Sequence, residues 1–296
     1  MTFLKAAKLF LGLSVLLVVI GIGLLFVPGP KLSIEFTGGT LMELKLPQGK
    51  TKEDLVALLE KSGIPPLAAA SMTETKTESY YVRSTTLTNE EHLQFLATAE
   101  KEMPEITELQ FTTIGPTVGA TLKRRAVMAL LIATIAIVVY IAFAFRKIPR
   151  KMSPLRFGII AVVALLHDII ITMGIFVILS HTTTFQVDTL FISALLSIMG
   201  YSVNDTIVIF DRIRDNLSLQ GSHEDFATLA TRSLQQTLTR TINTGFGALI
   251  MLFALFFLGS ESIRWFILTL IIGTIIGTYS SFFVATPLLI FWKKKS

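Results

Sequence analysis

Six stretches of this chain are apolar for long enough to cross a bilayer, which limits the fold before anything else is read. About 20 apolar residues span the hydrocarbon core, and the runs fall at roughly 9–27, 126–145, 157–180, 189–210, 242–258 and 265–291. Without water to satisfy the backbone, such segments cross as helices. Composition agrees: 52% of residues are hydrophobic and 16% charged, against about a quarter charged in soluble domains. The expected class is a polytopic α-helical membrane protein with six transmembrane helices.

The distribution of charge sets topology. A net charge of +5 invites a nucleic-acid reading, but residues 31–122 hold 13 acids and 8 bases. The remaining positive charge lies beside the spans, so no nucleic-acid partner is expected. Lys5 and Lys8 precede the first run, and Val27-Pro28-Gly29-Pro30 follows it in place of a small-x-small cleavage site. It reads as an uncleaved anchor. With the N-terminus inside, the inner segments hold Lys5, Lys8, Arg146, Lys147, Arg150, Lys151, Arg156, Arg212, Arg214, Arg232, Arg240, Lys293, Lys294 and Lys295. The short outer loops hold only Arg264; Lys123, Arg124 and Arg125 fall outside and count against this orientation. Both termini are then cytoplasmic, with cytoplasmic loops at 146–156 and 212–240.

The chain divides at the changes in composition: 1–30 as N-terminus and first span, 31–122 as an extracytoplasmic domain, 123–296 as a five-helix membrane domain. Within 31–122 a strand is expected over 31–46, broken at Gly38-Gly39, then a helix over 51–62 capped by Thr51 with Leu55, Leu58 and Leu59 inward. Strands follow at 69–74 and 79–84, a helix at 88–103 with Leu93, Phe95 and Leu96 as core, and a strand at 106–114, where Ile106 alternates with Leu109 or Phe111. That order is the βαββαβ, ferredoxin-like α+β unit. The chain has no cysteine, so the domain stands on its own core without disulfides or thiolate metal sites. His92, its only histidine, reads as a solvated helix residue. Such a domain binds or positions something rather than transforming it.

Each ionisable residue inside a span costs about 2.5–3.5 kcal/mol even on the mild insertion scale and needs a reason. Asp205 lies in the fourth run, about 9 Å of helix from Asp211 at the inner boundary. Ser193, Ser197, Tyr201 and Asp205 share a face, flanked by Gly200 and Asn204; Leu195, Ile198, Ile207 and Ile209 lie opposite. The polar face should meet protein or water rather than lipid. The plain alternative is a polar packing seam. His167-Asp168 sits mid-way along the third run, with Thr172 one turn on. It is either a proton-handling pair, since histidine titrates near neutrality, or a hydrogen-bonded acid at a helix interface. Arg240 opens the fifth run, with Asn243, Thr244 and Gly247 after it. It either faces Asp205, to be released when that acid is protonated, or snorkels to headgroups. Asp188 reads as solvated on the outer side, and Asp211, Arg212, Arg214 and Asp215 form a charge run just inside the membrane. Ser222 precedes an amphipathic stripe over 223–238, read as an interfacial cytoplasmic helix. Gly273 and Gly277 form a G-x-x-x-G suited to close packing. No nucleotide, hydrolase or metalloprotease motif is present, and no cofactor, metal or catalytic residue is expected.

Several of these segments resemble one family. Ser33-Ile34-Glu35-Phe36-Thr37-Gly38-Gly39-Thr40, Leu166-His167-Asp168, the segment from Gly200-Tyr201-Ser202-Val203-Asn204-Asp205 to Asp211-Arg212-Ile213-Arg214-Asp215-Asn216, and Arg240-Thr241-Ile242-Asn243-Thr244 resemble the SecF branch of the SecD/SecF family, related to proton-driven RND-type exporters. Glu35 and Asp215 depart from the family pattern but keep the charge. The resemblance implies a SecD partner and work beside the SecYEG channel in the bacterial inner membrane. It also implies use of the proton motive force to assist export of polypeptides after SecA-driven translocation, with Asp205 and Arg240 in the coupling positions. The rival readings are a proton-coupled small-solute efflux pump and a passive assembly subunit. An intramembrane enzyme lacks a nucleophile beside His167-Asp168.

Overall fold

A computed structural model describes residues 3–75, 79–146, 154–220 and 224–294. Lys147, Arg150, Lys151, Ser222, His223 and Lys295 lie outside the described residues, as do the side chains of Lys5 and Lys294. In chain order the elements are α1 (Phe3–Phe26), β1 (Gly39–Lys45), α2 (Lys52–Lys61), β2 (Ser71–Glu74), β3 (Ser79–Ser84), α3 (Asn89–Glu102) and β4 (Thr107–Ile114). There follow α4 (Pro116–Ala144), α5 (Pro154–Thr182), α6 (Thr189–Gln220), α7 (Phe226–Leu258) and α8 (Arg264–Ser280), then a π-helical turn (Ser281–Ala285) and α9 (Thr286–Lys294). The chain forms two compact units. One is helical: Met1–Pro30, Met128–His181 and Leu190–Ser296. The other holds the sheet: Lys31–Val127 and Thr182–Thr189.

In the sheet unit the strand order is β2-β3-β1-β4, with every neighbouring pair antiparallel. The core joins Met42, Leu44 and Val82 of the strands to Leu55, Leu58 and Leu59 of α2 and Phe95, Ala99 and Met103 of α3. Both helices open with capping boxes, Thr51 with Asp54 and Thr88 with Glu91, which satisfy amides that a helix start leaves unpaired. Three expectations change. The strand begins only at Gly39, because Ser33 caps a helical turn over Ile34–Thr37 and Gly38 turns the chain at φ 74°. Gly39 has φ 124°, and a Cβ there would meet the Ser84 carbonyl at 2.7 Å. Leu93 is 64% exposed, leaving Phe95 as the core anchor. His92 is not solvated: its ring stacks on Phe111 at 3.6 Å and its Nε2 bonds Glu108 at 2.9 Å. The ambiguous alternation in β4 has a physical cause. The register shifts between Glu43 and Leu44, Leu109 is the extra residue, and the bulge turns it outward while Ile106 and Phe111 pack on the core. The segment 182–189 joins this unit through Val187, whose amide donates to the Lys31 carbonyl (2.8 Å) and whose carbonyl accepts from Ser33 (2.9 Å).

The helical unit holds six helices long and apolar enough to cross a membrane. Half or more of the apolar window is buried in the third, fourth and sixth, against 11% or less in the first, second and fifth. So α5, α6 and the α8–α9 helix make the centre, and α1, α4 and α7 the periphery. Phe145, Phe157 and Phe210 form an aromatic cluster with ring centroids 5.2–6.2 Å apart. The separate interfacial helix expected over 223–238, and with it most of the loop expected at 212–240, is replaced by helix. The 32 residues of α6 and 33 of α7 reach about 50 Å each at 1.5 Å per residue, longer than the hydrocarbon core. Nothing breaks α7 early, since no Pro or Gly occurs between Phe226 and Thr244. The stripe of Phe226, Leu229, Ala230 and Leu234 packs into the helical core instead of onto lipid. Asn216 reinforces it by donating to Ser233 (2.8 Å) and Gln236 (3.0 Å).

Candidate functional site

Two carboxyls lie inside the helical unit, and both are held by hydroxyls from one stretch of α8. Asp168, on α5, is fully buried. One carboxyl oxygen meets His167 Nδ1 at 2.8 Å. The other accepts from Ser280 at 2.8 Å and from Ser202 of α6 through a short bond. Three helices therefore meet on one acid. Among the described residues, no hydrogen-bond partner reaches the buried His167 Nε2 or Thr172 Oγ1. Tyr279 stands beside the His167 ring, centroids 6.3 Å apart, and donates to the Phe10 carbonyl on α1 at 3.0 Å. With its one proton committed, it accepts from Ser14, also at 3.0 Å.

Asp205, on α6, is equally buried but more thinly held. Its one donor among the described residues is Thr278, at 3.4 Å, and Tyr201 reaches the same threonine at 3.4 Å. One residue along, Thr206 bonds Ser281 at 2.9 Å. The close α6–α8 approach rests on the glycine pair expected from sequence. A Cβ on Gly277 would lie 3.0 Å from Ser202 Cβ, and one on Gly273 would overlap Ile198. On α7, a Cβ at Gly245 would lie 2.9 Å from the Tyr201 hydroxyl.

The stripe around Asp205 divides. Asp205 is buried and Tyr201 half-buried, but Ser193, Ser197, Gly200 and Asn204 are exposed. The residues opposite, Leu195, Ile198 and Ile209, are buried in the unit. Lipid tails are as apolar as leucine, so Leu195, Ile198 and Ile209 gain by packing inside the unit, and the polar face is left at its surface. Arg240 is exposed, and no ion pair joins it to Asp205 among the described residues. It nevertheless stands at the same depth. Arg212 pairs with Gln236 and Tyr201 meets Gly245, so α6 and α7 run antiparallel. Four residues below Tyr201 and five below Gly245 are both about 6–7.5 Å of helix. Further along α6, Arg214 pairs with Asp211 at 2.5 Å and Asp215 at 3.6 Å.

Ser202, Thr278, Tyr279 and Ser280 were not expected. The signal was the unbroken polar run Thr278-Tyr279-Ser280-Ser281 inside an apolar span. Neither carboxyl has a Lys or Arg partner among the described residues, and hydroxyls donate to both. The adjoining π turn (Ser281–Ala285) is a form often found at functional sites.

Residues 94–295 match the model of the protein export membrane protein SecD/SecF, C-terminal. The chain belongs to the SecD/SecF family. Residues 23–46 also match the SecD/SecF GG motif, which contains Gly38 and Gly39. The SecF protein translocase subunit of Thermobaculum terrenum is 37% identical over 292 residues, 96% of this chain and 91% of that one. The crystal structure of SecDF from Thermus thermophilus matches with a TM-score of 0.86 at 35% identity, over 99% of this chain and 39% of that chain. SecDF in its super-membrane-facing form matches at 0.70 with 34% identity, over the whole of this chain and 39% of that one. The chain thus spans about two-fifths of the SecDF chains it resembles and nearly all of its SecF relative.

Proposed function

We propose that this chain is a SecF-like accessory subunit of the Sec protein translocation machinery, not an enzyme, and that it acts with SecD to assist polypeptide export. It is a multi-pass membrane protein, assigned to the bacterial inner membrane with both termini cytoplasmic. Residues 1–30, 31–122 and 123–296 are read as anchor, ferredoxin-like extracytoplasmic domain and five-helix domain. The antiparallel order β2-β3-β1-β4 supports the middle assignment. SecYEG, the exported polypeptide and lipid are its further partners.

One observation carries the reading. A buried carboxyl with a single long hydrogen bond lies beside exposed Ser197, Gly200 and Asn204, at the depth of an exposed arginine. Polar groups left bare at membrane depth call for a protein partner, and SecD fits that place. In the proposed cycle a proton reaches Asp205, Thr278 gives up its bond, and α8 shifts with the π turn. Arg240 pairs with the Asp205 carboxylate in the deprotonated arm of the cycle. Of the two readings of His167-Asp168, the hydrogen-bonded acid at a helix interface is the one adopted: it ties α5, α6 and α8 together beside Asp205. One charge crossing 100 mV supplies about 2.3 kcal/mol, roughly a fifty-fold bias between two states.

Co-purification from native membranes tests the assignment: a SecD-like protein in stoichiometric yield is expected, with secretion impaired on deletion. Unimpaired secretion with altered tolerance to small toxic solutes would favour an efflux pump instead. Charge-swapping Asp205 and Arg240 tests the coupling pair. The double exchange should recover part of the gradient-dependent export lost in each single variant, and no recovery would count against direct pairing.

A further inference from the structure

The sheet ends in β4, which has a neighbour on one side only. Open edges template pairing with other chains, and proteins blunt them with charge, proline or bulges. The start of β4 is blunted by Glu108 and the bulge at Leu109. Gln110–Ile114 is not. It is Gln-Phe-Thr-Thr-Ile, with no charge and no proline, in regular register with β1, and Gln110 and Thr113 are exposed.

A cleft of about 370 Å³ opens between α3 and the start of the same strand, floored by Leu44, Phe95, Leu96 and Ile106. Its charged lining is entirely acidic: Glu100, Glu105 and Glu108. Glu108 is engaged by His92. Glu100 and Glu105 have no side-chain ion pair among the described residues. Glu105 is also held at φ 74°, left-handed backbone that favours glycine over a residue with a side chain. The strained position puts a free carboxylate at the mouth of an apolar cleft.

The geometry points to strand addition: a segment of exported polypeptide, extended and carrying apolar and basic side chains, pairs with β4 over Gln110–Ile114 and seats one side chain in the acidic cleft. Main-chain hydrogen bonds give such pairing its breadth, and a side-chain pocket gives it preference. That suits a domain meeting many sequences. Chemistry picks the occupant: the cleft offers apolar walls and uncompensated negative charge, so it selects leucine-rich or lysine- and arginine-bearing segments over acidic ones. The inference rests on the export reading above.

The full chain in nanodiscs would be titrated with three labelled eight-residue peptides. One alternates leucine and lysine, one alternates leucine and glutamate, and one is the lysine peptide N-methylated at alternate residues. Binding of the first alone is expected. The Glu100→Gln, Glu105→Gly pair should weaken it at least about tenfold without lowering the melting temperature, since glycine relieves the left-handed residue. The chain has no cysteine, so Gln110→Cys in native membranes should cross-link to a stalled exported chain, and Ala97→Cys on the outer side of α3 should not. Equal binding of the N-methylated peptide, no binding at all, or equal cross-linking from both positions would overturn strand addition. So would cross-linking of Gln110→Cys to SecD instead of the exported chain, which would make β4 a subunit seam. Each of these results leaves the export reading standing if deletion still impairs secretion. Unimpaired secretion would remove that reading itself.

Discussion

Asp168 and Asp205 are both aspartates in membrane spans, both buried, and both held by hydroxyls of α8 two residues apart. Their surroundings differ. Asp168 closes a junction of three helices with three partners from within the chain. Asp205 has one long bond and borders bare polar surface. The contrast separates two settings of a buried acid: one completes the fold of this chain, and the other borders the surface proposed above for SecD.

The comparison breaks most plainly through stability. Asp168→Leu strands the Ser202 hydroxyl and an imidazole nitrogen in the interior, while Ser280 keeps the Gly277 carbonyl as acceptor. Leaving a buried donor unsatisfied costs about 1–3 kcal/mol, so low abundance and a lowered melting temperature are expected. Asp205→Leu should cost far less in the isolated chain. Equal losses would erase the distinction.

Packing gives the next contrast. Gly277→Leu drives a side chain into Ser202, 3.0 Å from the position of its first carbon, and overpacking of this kind costs about 1–3 kcal/mol. Nothing lies within 4 Å of a Cβ on Gly200, so Gly200→Leu should leave the isolated chain unchanged while lowering SecD recovery from membranes. Reduced stability with unchanged SecD recovery would place Gly200 inside the unit instead.

The smallest effects sharpen the roles of the hydroxyls. Ser280→Ala removes one of two hydroxyl donors to a carboxyl oxygen and should cost about 1 kcal/mol, read by thermal unfolding. Thr278→Val keeps shape and removes the one donor to Asp205. Its stability change should be no larger, but the gradient-dependent part of export should fall.

Much of this was legible in the sequence for reasons of length and spacing. Apolar runs long enough to cross cannot do otherwise, and caps at Thr51 and Thr88 fix where helices begin. His167 and Asp168 are chain neighbours, so their meeting needed no tertiary knowledge. The donors from Ser202, Thr278 and Ser280 were not legible, because a small hydroxyl residue in a span looks the same whether it faces lipid or an acid on another helix. The helix over 223–238 is legible but not its continuity with the span at 242–258, because Arg232, Gln235, Gln236 and Arg240 lower the hydropathy without disfavouring helix. In the sheet unit, the bulge at Leu109 shifts the alternation by one residue, which no single-strand pattern reports. The pairing of Val187 with Lys31 and Ser33 joins residues over 150 positions apart, a tertiary choice with no local mark.

In the proposed function, Asp205 couples the proton gradient to export and Asp168 secures the bundle that holds it. The direct measurement is export into membrane vesicles, with and without an imposed gradient, for Asp205→Asn and Asp168→Asn at matched abundance. Asp205→Asn should fold normally and show no gain from the gradient, while whatever Asp168→Asn protein folds should keep a gain. Full gradient-stimulated export by Asp205→Asn would contradict the account.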